Sequence, residues 1–346
     1  MSGMTLHESA IVFDGLVVAQ WNRQTFEHMR QGGLTGANCT ICIWEGFRDT
    51  MTNIALWRGW FEEHGDIVMP ARTVADIRRA KEAGKVGIVL GWQNSCGIED
   101  DIRLLPLFKD LGVGFIQLTY NTQNYVGTGC WEERDSGLSS FGRHFIAEAN
   151  RLGIAIDLSH VASQTASDAI AASAKPCTYT HVCPAGLYPH PRNKTDEQLR
   201  EIVDRGGFVG MATYAPFMRN GADSTIEDCL DTFEYVLNVC GEENVGIGTD
   251  STEGQDEAFF EWIRKDKGTG RRMVPAKGTA AFVKGLETLA DYPSLTMAME
   301  RRGWSERRTR AVLGENWLRF LGEVWQPAAS GVDGGDRNLQ ADARQQ

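Results

Sequence analysis

Three residues whose types support metal chemistry stand at the ends of short apolar runs. His160 follows the run IAIDLS, His181 closes the run CTYTH, and Asp250 closes the run VGIGTD. A neutral imidazole nitrogen is the commonest protein ligand for a metal such as zinc, and an aspartate oxygen can complete such a site. In hydrolytic sites an aspartate can also accept a proton from the attacking water. These residues therefore indicate metal-assisted hydrolysis.

Eight apolar runs of strand length predict the elements that must position these residues. Each is rich in β-branched residues, as strands buried on both faces are. The intervening segments carry apolar residues at three- and four-residue steps and have helix-capping residues at their ends. This alternation predicts an α/β fold, the (β/α)8 TIM barrel of the metal-dependent hydrolases. The predicted strands are residues 11–18, 33–42, 86–92, 114–120, 154–160, 177–181, 207–214 and 245–250.

A doubly wound two-domain protein is the structural alternative. It is disfavoured because no Pro- or Ser-rich linker interrupts the alternation, and no Gly-rich phosphate loop follows an early strand. We expect one barrel domain over residues 1–325 and a polar, disordered tail over residues 326–346.

The barrel brings further polar residues to the same end as the histidines. Gln93 follows one predicted strand and Tyr120 closes another. A single histidine at a strand end is usually a hydrogen-bonded structural residue, but two at neighbouring ends with an acid across the barrel favour a site. The remaining histidines are expected at the surface: His7, His28, His64, His144 and His190.

Composition excludes several classes of partner. The 346 residues carry a net charge of −11, which argues against nucleic acid and against a polybasic membrane surface. There is no apolar run of the roughly 18 residues that a membrane span needs. The N-terminus lacks the pattern of a signal peptide, so we expect a cytoplasmic protein whose eight cysteines are reduced and mostly buried.

Several blocks resemble the membrane (renal) dipeptidase family, which are zinc hydrolases of dipeptides on a (β/α)8 barrel. The most specific block is GLSSFGRHFIAEANRLGIAIDLSHVASQT, followed by CTYTH and HPRNKTDEQLREIV. VGIGTDSTEG and VLGENWLRFL are similar to later family segments, and the resemblance covers about residues 10–325. It implies that His160 and His181 hold one of two metals. It also implies that Asp250 is a ligand or proton acceptor.

The resemblance extends to a substrate-binding motif in the HPRN segment. Arg192 matches the arginine that binds the substrate carboxylate, and Asn193 follows it in the same motif. A guanidinium suits a carboxylate because it can donate two parallel hydrogen bonds. The implied substrate is a small molecule, and family members often form dimers, which leaves a homodimer open for this chain.

Four departures from the family pattern change the expected metal site. Leu16 and Val18 stand where the family has a metal-binding H-x-D pair, and Gln93 stands where it has the bridging glutamate. Tyr120 replaces the histidine that polarises the scissile carbonyl. We therefore expect one ion, zinc or else manganese or iron, on His160 and His181. Gln93 would contribute to substrate or metal binding, and Tyr120 would donate to the developing oxyanion.

Other residues are candidates to replace the missing ligands or to fill their space. Asp14 lies on the face of Leu16 two residues earlier, where a buried structural acid is the alternative. The other candidate ligands are Cys42, Glu45 and Cys96. Six aromatic residues near this end could pack as ordinary core or form an apolar pocket: Trp21, Trp44, Trp92, Tyr120, Tyr125 and Trp131.

Three functional hypotheses follow. The first is a metal-dependent hydrolase of a small carboxylate-bearing amide, such as a dipeptide or an N-acylated amino acid. The second keeps the one-metal pocket for decarboxylation, lyase chemistry or the opening of a cyclic amide or ester, because fold does not determine reaction. The third is a non-catalytic relative that binds a small ligand. Retention of both histidines beside an acid favours the first two.

Overall fold

The computed structural model describes residues 4–326, and its strands form one parallel sheet. The strands are β1 (Phe13–Val17), β2 (Gly36–Cys42), β3 (Val68–Pro70), β4 (Val86–Trp92), β5 (Val113–Gln117), β6 (Ala155–Asp157), β7 (Thr178–Val182), β8 (Phe208–Met211) and β9 (Val245–Ile247). The predicted tail falls, apart from Gln326, outside the described residues. The division into a 1–325 domain and a 326–346 tail therefore remains a prediction.

Eight of the strands close into a barrel. Pairing runs β1–β2–β4–β5–β6–β7–β8–β9, and β9 returns to β1 through the pair Ile247 and Asp14. The predicted (β/α)8 TIM barrel is thus confirmed. The short strand β3 was not predicted, because its three residues are too few to show a periodic pattern; it pairs only with the first half of β4.

Helices follow the strands and cover the outside of the barrel. They are α1 (Leu6–Ser9), α2 (Arg23–Gln31), α3 (Phe47–Glu63), α4 (Val74–Glu82), α5 (Leu105–Asp110), α6 (Ser140–Leu152), α7 (Ser163–Ala172), α8 (Asp196–Asp204), α9 (Ile226–Cys240), α10 (Glu257–Ile263), α11 (Tyr292–Arg301), α12 (Glu306–Arg310) and α13 (Asn316–Val324).

Helix α6 shows how local sequence determines an element that leads into the site. Ser139 caps its start by accepting a hydrogen bond from the backbone N–H of Gly142 at 2.9 Å. Gly153 ends it in the left-handed conformation, with φ of 68°, which glycine adopts without steric cost. The chain then enters β6, the strand that precedes His160.

Aromatic residues close the N-terminal end of the barrel. Trp317 of α13 lies against Phe13, Phe115 and Phe208, with ring centroids 4.3 to 6.0 Å apart. Its indole N–H donates to the carbonyl oxygen of Ile247 at 2.8 Å, so the buried polar atom has a partner. This end is therefore packed core, and the opposite end, where the strands' carboxyl ends lie, is left for a site.

The surface prediction for the five other histidines is wrong for two of them. His7 and His64 are buried, and His7 bonds Thr296 Oγ1 and the Gly32 carbonyl through its two ring nitrogens. Both lie in or beside helices, on faces that are buried in the folded protein. The local sequence pattern did not show that these faces are buried. His28 and His190 are half-buried. Within residues 4–326, no helix combines the length and apolarity that crossing a membrane requires.

Candidate active site

Most of the predicted site residues line a cavity at the carboxyl end of the barrel. It contains about 720 Å³ of empty space, including its open mouth. Its lining includes Gln93, Tyr120, His160, Arg192 and Asp250. The predicted residues His181 and Asn193 do not line it. His181 is fully buried behind His160, which it contacts.

The two histidines face each other through the same ring atom. His160 Nε2 and His181 Nε2 are 3.0 Å apart, and both side chains are buried. His181 belongs to β7, whereas His160 stands three residues beyond the end of β6. The barrel therefore brings together, as predicted, two imidazoles that are 21 residues apart in the chain.

Hydrogen bonds at the other ring nitrogens determine the tautomers. His160 Nδ1–H donates to Asn121 Oδ1 at 2.8 Å. Thr180 donates its hydroxyl proton to Asp157 Oδ2 at 2.6 Å, so its oxygen accepts from His181 Nδ1–H at 2.7 Å. With both Nδ1 atoms protonated, both Nε2 atoms carry lone pairs. Two lone pairs 3.0 Å apart repel each other unless a proton or a cation lies between them.

Asp157 maintains this arrangement from inside the barrel. Its Oδ1 accepts from the backbone N–H groups of Ser159 and Thr180, each at 2.9 Å, and it also accepts from the Ser159 hydroxyl. It thereby ties the end of β6 to β7. An orienting carboxylate behind a ligand histidine is a usual feature of metal sites.

Burial keeps the histidines neutral. It lowers the pKa of both His160 and His181 well below 6.5, and the nearby Arg192 charge lowers both further. A neutral imidazole is the form that binds a metal.

Two histidine nitrogens are available to one cation, whereas the positions that would bind a second cation lack suitable ligands. Zinc–nitrogen bonds of about 2.0–2.1 Å allow one ion to bind two nitrogens at the observed separation. For a second ion, Leu16 and Val18 offer no ligand atom, and Gln93 offers only a neutral amide. Gln93 Nε2 donates to Thr40 Oγ1 at 3.1 Å. Within residues 4–326 no three His, Cys, Asp or Glu side chains converge to hold a metal.

Asp14 is a structural acid and does not replace the missing ligands. Its carboxylate accepts from the N–H groups of Leu16 and Thr249, from the Thr249 hydroxyl, and from the Tyr292 hydroxyl at 2.6 Å. Burial raises its pKa, and these hydrogen bonds oppose the rise. The group joins β1 to the segment after β9, which carries Asp250.

Loss of the Tyr292 hydroxyl should destabilise the protein without changing metal content. In Tyr292→Phe the buried Asp14 carboxyl loses one donor, so the free energy of unfolding should fall by about 1–3 kcal/mol. Urea denaturation measures this. Tyr125→Phe is the matched control because Tyr125 is 64% exposed, and it should change stability little. Equal stability of the two variants would contradict the role given to Tyr292.

The other candidate ligands also have local partners. Glu45 accepts from the N–H groups of Ile43 and Trp44 and from Asn53, which turns its carboxylate toward its own loop. Cys42 and Cys96 lie together, with sulfurs 3.8 Å apart. None of these three residues lines the cavity.

An apolar cluster occupies the side of the cavity where the resemblance implies the first metal. Val18, Ile43 and Tyr120 pack together there, with Phe259 and Ile263 of the α10 segment against them. Tyr120 also stacks on the His160 ring, with centroids 4.3 Å apart. Burial, followed by the charge of Asp250, raises the Tyr120 pKa, so its hydroxyl remains a proton donor. Of the six aromatics named from sequence, Tyr120 and Trp131 line this cavity.

Asp250 is held in a conformation that non-glycine residues seldom adopt. Its φ is 58°, and its backbone N–H donates to the Leu16 carbonyl at 3.0 Å. Strained backbone of this kind tends to occur where function requires it. Burial raises its pKa to about 7, against a lowering effect of Arg192 and with smaller raising effects of Asp14 and Asp157. No described residue donates a hydrogen bond to its carboxylate, which faces the cavity.

The guanidinium group of Arg192 donates mainly to backbone carbonyls of the protein. It is buried, and its Nη1 and Nη2 donate to the carbonyl oxygens of Ser159 and His181 at 2.6 and 3.0 Å. Only Nε lacks a partner among the described residues. Asn193 donates to the carbonyls of Tyr188 and Phe217 and does not itself line the cavity. Substrate binding by these two residues remains a prediction.

Sequence reasoning missed several cavity residues, among them His190 and Arg264. His190, whose pKa is lowered to about 4 by burial and then by Arg192, accepts from the Arg192 backbone N–H. Its position in the HPRN motif was an available signal. Arg264 follows α10, and no sequence pattern indicated that it lines the cavity.

Comparison with known proteins identifies the family. A family model described as membrane dipeptidase (peptidase family M19) matches residues 16–262 and 275–331. The chain belongs to this family. The resemblance stated from sequence is therefore confirmed.

Curated relatives from fungi are dipeptidases by name. Dipeptidase tcpJ of Claviceps purpurea is 29% identical over 82% of this chain, and dipeptidase aclJ of Aspergillus oryzae is 30% identical over 84%. The chain spans 61% and 64% of the length of these two relatives.

Solved structures agree with the family assignment. An amidohydrolase from Pseudomonas aeruginosa is 52% identical, with a TM-score of 0.91 over 92% of this chain and 98% of that chain. A metallopeptidase from Rhodobacter sphaeroides, solved with a phosphinate mimic of L-Ala-D-Ala, has a TM-score of 0.77 at 22% identity over 92% of this chain and all of that chain. The second likeness supports the fold alone.

Proposed function

We propose that the protein is a metal-dependent hydrolase of a small amide that carries a carboxylate. The observation that carries this proposal is the pair of opposed Nε2 lone pairs, 3.0 Å apart, beside a carboxyl group that faces the same cavity. Zinc is the proposed ion, with manganese or iron as alternatives. His160 and His181 would hold it.

Each catalytic side chain has one proposed task. The bound ion would supply Lewis acidity at the scissile carbonyl and at the attacking water. Asp250 would accept the proton of that water, which its pKa of about 7 permits near neutral pH. Tyr120 would donate its hydroxyl proton in a hydrogen bond to the developing oxyanion.

The positive charges of the cavity support the proposal that the substrate carries a carboxylate. Arg192 and Arg264 both line it and are both buried. A buried positive charge without an acidic partner favours an anionic ligand, because desolvation leaves that charge otherwise uncompensated. Neither arginine has a salt bridge with an acidic residue within the described part of the chain.

Removal of metal should abolish hydrolysis. Protein dialysed against a chelator should hydrolyse L,L- and L,D-dipeptides and N-acyl amino acids at least about 100-fold more slowly, because the Lewis acid is lost. Restoring zinc, manganese or iron should recover the rate, which release of the amine product measures. Failure of metal-loaded protein to hydrolyse any amide in the panel would contradict the proposal.

A further inference from the structure

Arg264 presents unpartnered donors at the cavity. It is 6% exposed, and it follows α10, the helix that covers the barrel mouth. Its Nη1 donates to the Gly278 carbonyl, and its guanidinium lies 5.1 Å from the Phe260 ring centroid. Among residues 4–326 nothing accepts a hydrogen bond from its Nε or Nη2. One edge of a guanidinium, the geometry that binds a carboxylate, therefore remains available.

Arg192 is less suited to that task. Both of its Nη atoms already donate to strand-end carbonyls, and withdrawing them would disturb the backbone that carries His160 and His181. Its Nε has no partner among the described residues, but any second contact to a carboxylate would have to share an Nη atom that already donates to a strand-end carbonyl. Of the two arginines in the cavity, Arg264 is thus the one whose Nε and Nη2 both lack an acceptor among the described residues, so it suits a carboxylate better than Arg192 does.

The charges of the cavity also disfavour an ammonium group. Among residues 4–326, Asp250 is the only acidic residue that lines it, whereas two arginines do. Asp250 is already assigned as the proton acceptor. A dipeptide brings a free α-ammonium, which would have to lie near two guanidinium groups with no carboxylate left to pair with it.

Part of the cavity lining is apolar and includes Val18, one of this chain's departures from the family pattern. Val18 and Ile43 form it together with Phe259 and Ile263, close to the His160 side of the cavity through Tyr120. Such a wall can bury a hydrocarbon group of the substrate.

The geometry points to an N-acylated amino acid as the substrate, with its carboxylate on Arg264 and an apolar acyl group against Val18, Ile43, Phe259 and Ile263. This inference rests on the proposed hydrolase function. In the reaction, the water oxygen bonds to the acyl carbon and the C–N bond breaks. The nitrogen leaves with a proton, which gives a carboxylic acid and a free amino acid.

Matched substrates test whether the cavity lacks a site for a substrate ammonium group. Glycyl-leucine and N-acetyl-leucine differ only in that the first carries the amino group, and N-hexanoyl-leucine extends the acyl chain. With metal-loaded protein and both leucine enantiomers, kcat/KM should be at least tenfold higher for the acetyl compound than for the dipeptide, and higher again for the hexanoyl compound. Equal or better hydrolysis of the dipeptide overturns the inference while leaving the hydrolase function intact.

A substitution of Arg264 tests the carboxylate contact. Arg264→Gln should raise KM for N-hexanoyl-leucine at least tenfold and change it little for N-hexanoyl-leucinamide, which lacks the carboxylate. Arg264→Lys, which keeps the charge, should recover part of the loss. Arg271→Gln is the control, because Arg271 is exposed on the same segment. Equal effects of Arg264→Gln on the acid and the amide overturn the assignment.

A binding measurement separates this inference from the proposed function. Isothermal titration of N-hexanoyl-leucine should show binding that Arg264→Gln weakens at least tenfold, while Arg271→Gln does not. If this pattern holds although no amide is hydrolysed, the hydrolase function fails and the ligand assignment stands. Absence of binding together with absence of acyl preference in hydrolysis overturns the assignment.

Discussion

Replacement of His160 with alanine is expected to remove both metal and activity. Metal content should fall from about one equivalent to less than a tenth, because the remaining His181 offers a single protein nitrogen. The ratio kcat/KM should fall at least about 1000-fold, which corresponds to about 4 kcal/mol of transition-state stabilisation. Elemental analysis and steady-state kinetics measure the two effects on the same preparation.

A histidine elsewhere on the barrel provides the control. His144 is exposed on α6, so His144→Ala should retain metal and activity. Circular dichroism should show that both variants fold. A His160→Ala protein that keeps its metal and its rate would mean that the histidine pair is structural, in which case the site must lie elsewhere.

Replacement of Asp250 with asparagine should give the second largest effect. The amide cannot accept the proton of the attacking water, so kcat should fall by about 100- to 10,000-fold, the usual contribution of a general base. Metal content should not change, because Asp250 is not a proposed ligand. Asp204→Asn, at an exposed position on α8, is the control and should leave kcat unchanged.

The same residue predicts the pH dependence. A proton acceptor works only when ionised, so kcat/KM should rise with pH and level off above the pKa of the free enzyme, which is raised to about 7. The charged groups that act on Asp250 are Arg192, Asp14 and Asp157. The rising limb should be absent from Asp250→Asn. A rate that falls between pH 6 and 8 in the wild type would contradict the assignment.

The fold and the histidine pair could be predicted because both depend on short-range patterns. Apolar runs identify barrel strands, and parallel strands place their carboxyl ends on one face, so His160 and His181 had to be neighbours. The ends of the runs were less predictable. Tyr120, His160 and Asp250 each stand three residues beyond the end of the strand that precedes them, and Asp250 has left the extended conformation altogether.

The rest of the site depends on long-range packing that one sequence does not encode in a readable pattern. Arg264 reaches the cavity only because the segment after β9 folds over the barrel mouth. Arg192 was expected to offer a bidentate fork, but whether its Nη atoms are free depends on carbonyls of Ser159 and His181 that approach it in the folded chain. Burial of His7 likewise depends on distant Thr296.

The count and position of bound metal ions decide whether a single ion binds between His160 and His181. Crystals of protein purified without added metal should show one anomalous-scattering peak per chain, between the Nε2 atoms of His160 and His181, with its element identified from data across the absorption edge. We expect this single peak and an apolar, metal-free wall at Val18 and Ile43. A second peak beside that wall, or no peak in protein that is fully active, would contradict it.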